Sequence, residues 1–155
     1  MSFTAFGPIY KATAALCPQV LDSQAAKAML MAIAMQESRF DARRQIGGPA
    51  RGFWQFELGG IRGILNHRAS QPIIFSVLDR LDYDHQPETS YAAIEHNDVL
   101  AFAYARCLLW TLPDPLPLPH ETEEGWRQYV EGWRPGRSRR DSWSAFFDKA
   151  WEMTL

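Results

Sequence analysis

The chain is short of most features that would assign it quickly. It has no basic excess: Lys+Arg 16 stands against Asp+Glu 18, a net charge of -2. That near balance argues against a general nucleic-acid binder, which carries a surplus of positive charge. Cysteine is limited to Cys17 and Cys107, both in apolar settings. One bridge is possible, but buried free thiols are the commoner state in such settings. Four histidines, His67, His85, His96 and His120, are scattered, so no zinc peptidase signature exists. Asp79, Asp82, Asp84 and His85 lack a second histidine and the glycine of a calcium loop, and they read as a solvated helix end rather than a metal site. No apolar run approaches the length of a membrane span. Strand pairs, internal repeats and a phosphate-cradling glycine loop are also missing.

What is present is apolar mass at helical spacing. At 155 residues, with 46% hydrophobic and 13% aromatic content, one domain with one sizeable core is the natural expectation. A first helix is predicted over Pro8 to Leu16, stopped by Pro18. Asp22 or Ser23 can cap a second, from about Gln24 to Phe40. A brief helix around Ile61, Ile64 and Leu65 ends before His67, and Pro72 opens another through Leu81. Glu88 to Glu95 forms the next. Asn97 or Asp98 caps a helix to Trp110, with Leu100, Tyr104, Cys107 and Leu108 inward.

Leu112 to Pro119 alternates proline with other residues, which requires a stiff, extended connection on the surface. Trp126, Tyr129, Val130 and Trp133, then Trp143, Phe146, Phe147, Ala150 and Trp151, mark two closing helices. The loop between them carries Arg134, Arg137, Arg139 and Arg140. Such a loop is ordinarily a solvated surface, though it could meet an anionic polymer. Met1 to Cys17 has no early positive charge and contains Pro8 and Lys11, which makes a poor signal peptide; Leu16 before Cys17 also spoils a lipoprotein cleavage site.

Two stretches carry the candidate chemistry. On the second helix Met29, Leu30, Ile33 and Ala34 share a face, and Glu37 continues it. Burial and the negative end of the helix dipole both raise the pKa of such a carboxyl, and an acid still protonated near neutral pH can protonate a glycosidic oxygen. The plainer reading is a Glu at a helix end, turned to solvent or paired with Arg39, Arg43 or Arg44. Downstream, Gly47-Gly48-Pro49 forces a turn, and Gly52 precedes Phe53, Trp54 and Phe56 around the single amide Gln55. Flat aromatics beside one amide suit the apolar face and hydroxyl edge of a sugar, and equally suit an aromatic core cluster.

Glu37-Ser38 at a helix end, followed by Gly52-Phe-Trp-Gln55, resembles the Glu-Ser and Gly-Leu-Met-Gln motifs of soluble lytic transglycosylases and goose-type lysozymes. The wider run Arg43 to Glu57 is similar to lysozyme-like proteins of tailed phages and prophages. The third motif of that family, Ala-Tyr-Asn-Ala-Gly, is matched only in part by Ala103-Tyr104-Ala105-Arg106.

The resemblance implies an all-α lysozyme-like domain of about seven or eight helices with a glycan cleft, acting on the bond between N-acetylmuramic acid and N-acetylglucosamine. Glu37 would be the general acid. Ser38 and Gln55 would hold hydrogen bonds near the sugar, and Trp54, Phe56 and Tyr104 would line subsites, with Tyr104 equally suited to the core. Glu57 is a lesser candidate for positioning water, and a helix-starting role explains it as well. No metal or cofactor is implied. The implied partners are peptidoglycan strands and other phage virion or tail proteins. The implied setting is a virion, or the host cytoplasm until delivery to the periplasm. The partial third motif allows an alternative: a virion or tail component that binds glycan without turnover.

Overall fold

Apolar spacing and caps resolve into eight helices in the computed structural model, which describes residues 3–137 and 139–155. These are α1 (Phe6–Ala14), α2 (Gln24–Ser38), α3 (Leu58–Asn66), α4 (Gln71–Arg80), α5 (Pro87–Ala93), α6 (Asp98–Trp110), α7 (Thr122–Trp133) and α8 (Arg140–Thr154). The fold is all-α, with no strand longer than an isolated bridge among the described residues. A short 3-10 turn, Gln19–Leu21, follows Pro18. Of the alternative caps, Ser23 and Asn97 take the role. Their side chains accept the amides of Ala26 at 3.0 Å and Leu100 at 3.1 Å, satisfying donors that have no partner inside the helix.

Two helices depart from the one-faced expectation. In α2 every residue from Ala28 to Met35 is buried, and in α6 every residue from Leu100 to Cys107. Both are central helices, covered on every side and apolar but for Arg106, whose guanidinium donates to the Leu21 carbonyl. Their many alanines leave room for neighbours: α2 packs most extensively on α8, and α1 lies on α6. The buried apolar residues form one contiguous cluster. Cys17 and Cys107 are free thiols, and burial pushes both thiols' pKa values up. The proline run is held against α7, where Gln128 donates to the Pro115 carbonyl at 2.8 Å and Arg127 meets Asp114.

No described helix is long and apolar enough to cross a membrane. The described residues also contain no metal-holding group of His, Cys, Asp or Glu. His85 instead bonds Asp79 at 2.7 Å and stacks on Phe75 at 4.0 Å.

Candidate active site

The end of α2 is built to stop at a fixed point. Arg39 and Phe40 both take left-handed backbone, at φ 54, so the chain turns sharply after Ser38. The Ser38 hydroxyl lies 2.7 Å from the Phe53 carbonyl and 3.0 Å from that of Ala34, and accepts the Phe40 amide at 3.2 Å. Its one proton is committed to carbonyls of the protein, and the residue is buried and off the cleft lining. Ser38 therefore pins the aromatic loop to the helix end, and the expectation that it bonds a sugar is corrected.

The loop itself is a tight turn. Arg51 and Phe56 exchange backbone bonds at 3.0 and 2.9 Å, and Gly52 at φ +74 donates to the Arg43 carbonyl at 2.7 Å. A Cβ on Gly52 would sit 2.9 Å from the Ile94 carbonyl oxygen, so both conformation and space demand glycine.

This turn drives its aromatics inward. Phe53 stacks on Phe40 at 4.3 Å, with the Arg43 guanidinium 4.4 Å from its ring centre. Trp54 is fully buried: its indole N–H donates to the Leu30 carbonyl at 2.8 Å, and its ring meets Phe102 edge-on at 5.0 Å. Tyr104 is equally buried and donates to Ser90 Oγ at 2.6 Å. Trp54 and Tyr104 are thus core residues and line no subsite, because the apolar interior encloses both and α2 and α5 supply their polar acceptors, the Leu30 carbonyl and Ser90 Oγ.

Outside this core runs a cleft of about 1150 Å³, walled by the end of α2, the loop, α3 and α7 and by the segment after α7. That exceeds the roughly 300–1,000 Å³ of an ordinary small-molecule pocket and leaves room for a large ligand. Glu37, Gln55, Phe56 and Glu57 all line it. The α3 wall presents Gly59, Gly60 and Gly63 beside Ile64, which leaves it with few side chains.

Gln55 stands at φ 53 and donates to the Gly52 carbonyl at 2.8 Å. Its half-buried amide is held at the cleft wall. Phe56 is mostly covered, lying 5.9 Å from the ring of Trp133, which also lines the cleft. Glu57 is exposed at the N-cap position of α3, where the helix dipole favours a negative charge, and it makes no capping bond.

Glu37 is half-buried, and desolvation raises its pKa to about 6 against the opposing effects of a Tyr129 hydrogen bond and the Arg139 charge. The Tyr129 hydroxyl donates to Glu37 Oε1 at 2.5 Å. Its own pKa is raised, first by burial and then by the adjacent carboxylate, so it remains a proton-bearing donor. With Oε1 held by that donor, Oε2 is left to carry an acidic proton. Tyr129 is fixed in turn by Trp143, stacked at 5.3 Å and 8°.

The resemblance offered Tyr104 for the cleft or the core; it lies in the core, and the tyrosine that meets Glu37 is Tyr129. Tyr129 comes from α7, 92 residues along the chain, and its spacing with Trp126 and Trp133 marked it only as core. Gln36 went unnoticed as well. It binds the start of α8 through its amide, donating to the Arg139 carbonyl at 2.7 Å and accepting from Ser142 Oγ at 3.0 Å. Compared with family models, curated proteins and solved structures, the chain matches none.

Proposed function

We propose that the protein cleaves the glycan strand of peptidoglycan, with Glu37 as the general acid. The observation that carries this reading is a single one: a half-buried carboxyl with its pKa raised to about 6 stands on the wall of a large cleft, oriented by a tyrosine hydroxyl. Such a group stays partly protonated near neutral pH and can protonate a leaving sugar oxygen. Trp133 and Phe56 offer the apolar wall for a sugar face, and Gln55 an amide for its hydroxyl edge.

In this reading Glu37 donates its proton to the glycosidic oxygen as the C–O bond breaks, leaving positive charge on the muramyl anomeric carbon. Glu37, now a carboxylate, takes the proton of the muramyl 6-hydroxyl while that oxygen closes on the same carbon. The product is a 1,6-anhydromuramyl end, and no water is consumed. The single-acid route is favoured over hydrolysis because Glu57, the nearest second carboxylate, is exposed and suits its helix-starting place.

Release of soluble fragments from purified peptidoglycan across pH 4–8 tests the reading. As the acid is the active form, the descending limb should fall as pH rises through about 6. Tyr129→Phe removes a bond that favours the charged form, so the limb should move to higher pH while the rate below it drops roughly tenfold through lost orientation. A limb unmoved by Tyr129→Phe would sever the link between this carboxyl and catalysis.

One observation favours a second reading, a phage virion or tail component that holds glycan without turnover: the third motif lacks its Asn and Gly, and its Tyr104 is sealed in the core. Binding without release of fragments would select it.

A further inference from the structure

Most arginines of this chain are engaged. Arg43, Arg44, Arg62, Arg127 and Arg140 are each paired with a carboxylate. Arg80 and Arg106 donate to backbone carbonyls, and Arg39 and Arg51 lie over the rings of Phe146 and Tyr91. Arg134, Arg137 and Arg139 differ. All three are exposed and line the cleft, and among the described residues none is in an ion pair with a carboxylate, the Arg139 charge reaching Glu37 only at longer range. Among the described residues outside the cleft, Arg68 is the one other arginine held by neither a carboxylate, a backbone carbonyl nor a ring.

The backbone on either side of these arginines is anchored. Arg134 closes α7 in left-handed conformation with its amide on the Val130 carbonyl at 2.9 Å. Arg139 precedes α8, and its carbonyl is held by Gln36 and Ser142. Of the three acids that share the cleft, Glu37 is bonded to Tyr129, Glu131 to Arg127, and Glu57 stands exposed at the start of α3. Three positive charges thus stand at one edge of the cleft of a chain whose net charge is -2. Unpaired guanidinium groups beside a cleft suit a planar anion such as a carboxylate, which they can grip by two parallel bonds.

Resting on the glycan-cleaving reading above, we infer that Arg134, Arg137 and Arg139 form a receiving edge for a carboxylate carried by the glycan, selecting acidic strands over neutral ones. Two parts of the substrate offer that chemistry: the stem peptide, or the muramyl lactyl group where the peptide has been removed.

Binding to the full chain carrying Glu37→Gln, which leaves strands intact, separates these sources. The probes are peptide-bearing glycan strands, strands stripped by an amidase so that the lactyl carboxylate is free, and uncharged chitooligosaccharides of matched length. Acidic strands should bind at least about tenfold more tightly than the neutral oligomer at low salt, with the advantage shrinking as salt is raised. Whichever acidic strand holds the advantage identifies the carboxylate. Adding Arg137→Gln, or Arg134→Gln with Arg139→Gln, should close the gap while the unfolding midpoint stays put; Arg137→Glu should reverse it.

Equal affinity for all three probes, or a preference indifferent to the arginines, overturns the inference and leaves the glycan-cleaving reading standing. No binding of any strand, together with no fragment release by the wild type, overturns that reading and this inference with it.

Discussion

Trp54→Ala is expected to lower stability by about 3–5 kcal/mol, which for a chain of this length corresponds to a drop of roughly 10 °C or more in the unfolding midpoint. The indole is completely covered, and its N–H is satisfied by the Leu30 carbonyl of α2. Truncation empties a space bounded by Phe40, Phe53 and Phe102 and removes the partner of a buried acceptor. The Trp54 carbonyl, which accepts from the Trp133 indole at 3.0 Å, remains, so the damage begins in the core rather than at the cleft. Thermal unfolding with glycan affinity measured on the folded fraction checks this. A midpoint within a few degrees of wild type, joined to a large loss of affinity, would return Trp54 to the cleft.

Glu37→Gln carries the larger effect on activity, a loss of about 10²–10⁴ in rate, because the amide keeps the shape and can still accept from Tyr129 but has no acidic proton to give. Its effect on stability has the opposite sign. A carboxyl whose pKa rises from 4.5 to about 6 on folding favours the folded state fully below pH 4.5, and that contribution is lost as pH rises through 6. At neutral pH the wild type therefore holds a charge that burial opposes, a cost of roughly 1–2 kcal/mol at most. The variant should melt no lower than wild type at pH 7.5, with any advantage shrinking toward pH 4.5. Paired melting curves at the two pH values check the sign. A variant much less stable at pH 7.5 would show the carboxylate to be a structural partner.

The helices were legible because their signals are local. Ser23, Asn97 and Pro72 mark starts, and a stretch such as Trp126 to Trp133 ends where Pro135-Gly136 cannot continue it. Glu37 was legible for the same reason, as the position that carries an apolar face past the last turn. The surroundings of the acid were not. Alternation along a helix cannot say which face meets water when, as in α2 and α6, neighbours cover every face. An aromatic run such as Phe53 to Phe56 has the same composition whether it meets a sugar or a core. The decision lay in the turn at Gly52 and in the Leu30 carbonyl that captures Trp54. Tyr129 reaches Glu37 only through the packing of α7 and α8, a long-range arrangement that no spacing rule carries.

Mass spectrometry of fragments released from purified peptidoglycan in oxygen-18 water, by wild type and by Glu37→Gln side by side, bears most directly on Glu37 as the acid of a glycan-cleaving site. The expected result is wild-type fragments ending in 1,6-anhydromuramic acid without label, and almost none from the variant. Label at new reducing ends, lost in Glu57→Gln, would replace the single-acid route with hydrolysis. Fragments released equally by wild type and Glu37→Gln, or by neither, would contradict the assignment of Glu37 as the catalytic acid.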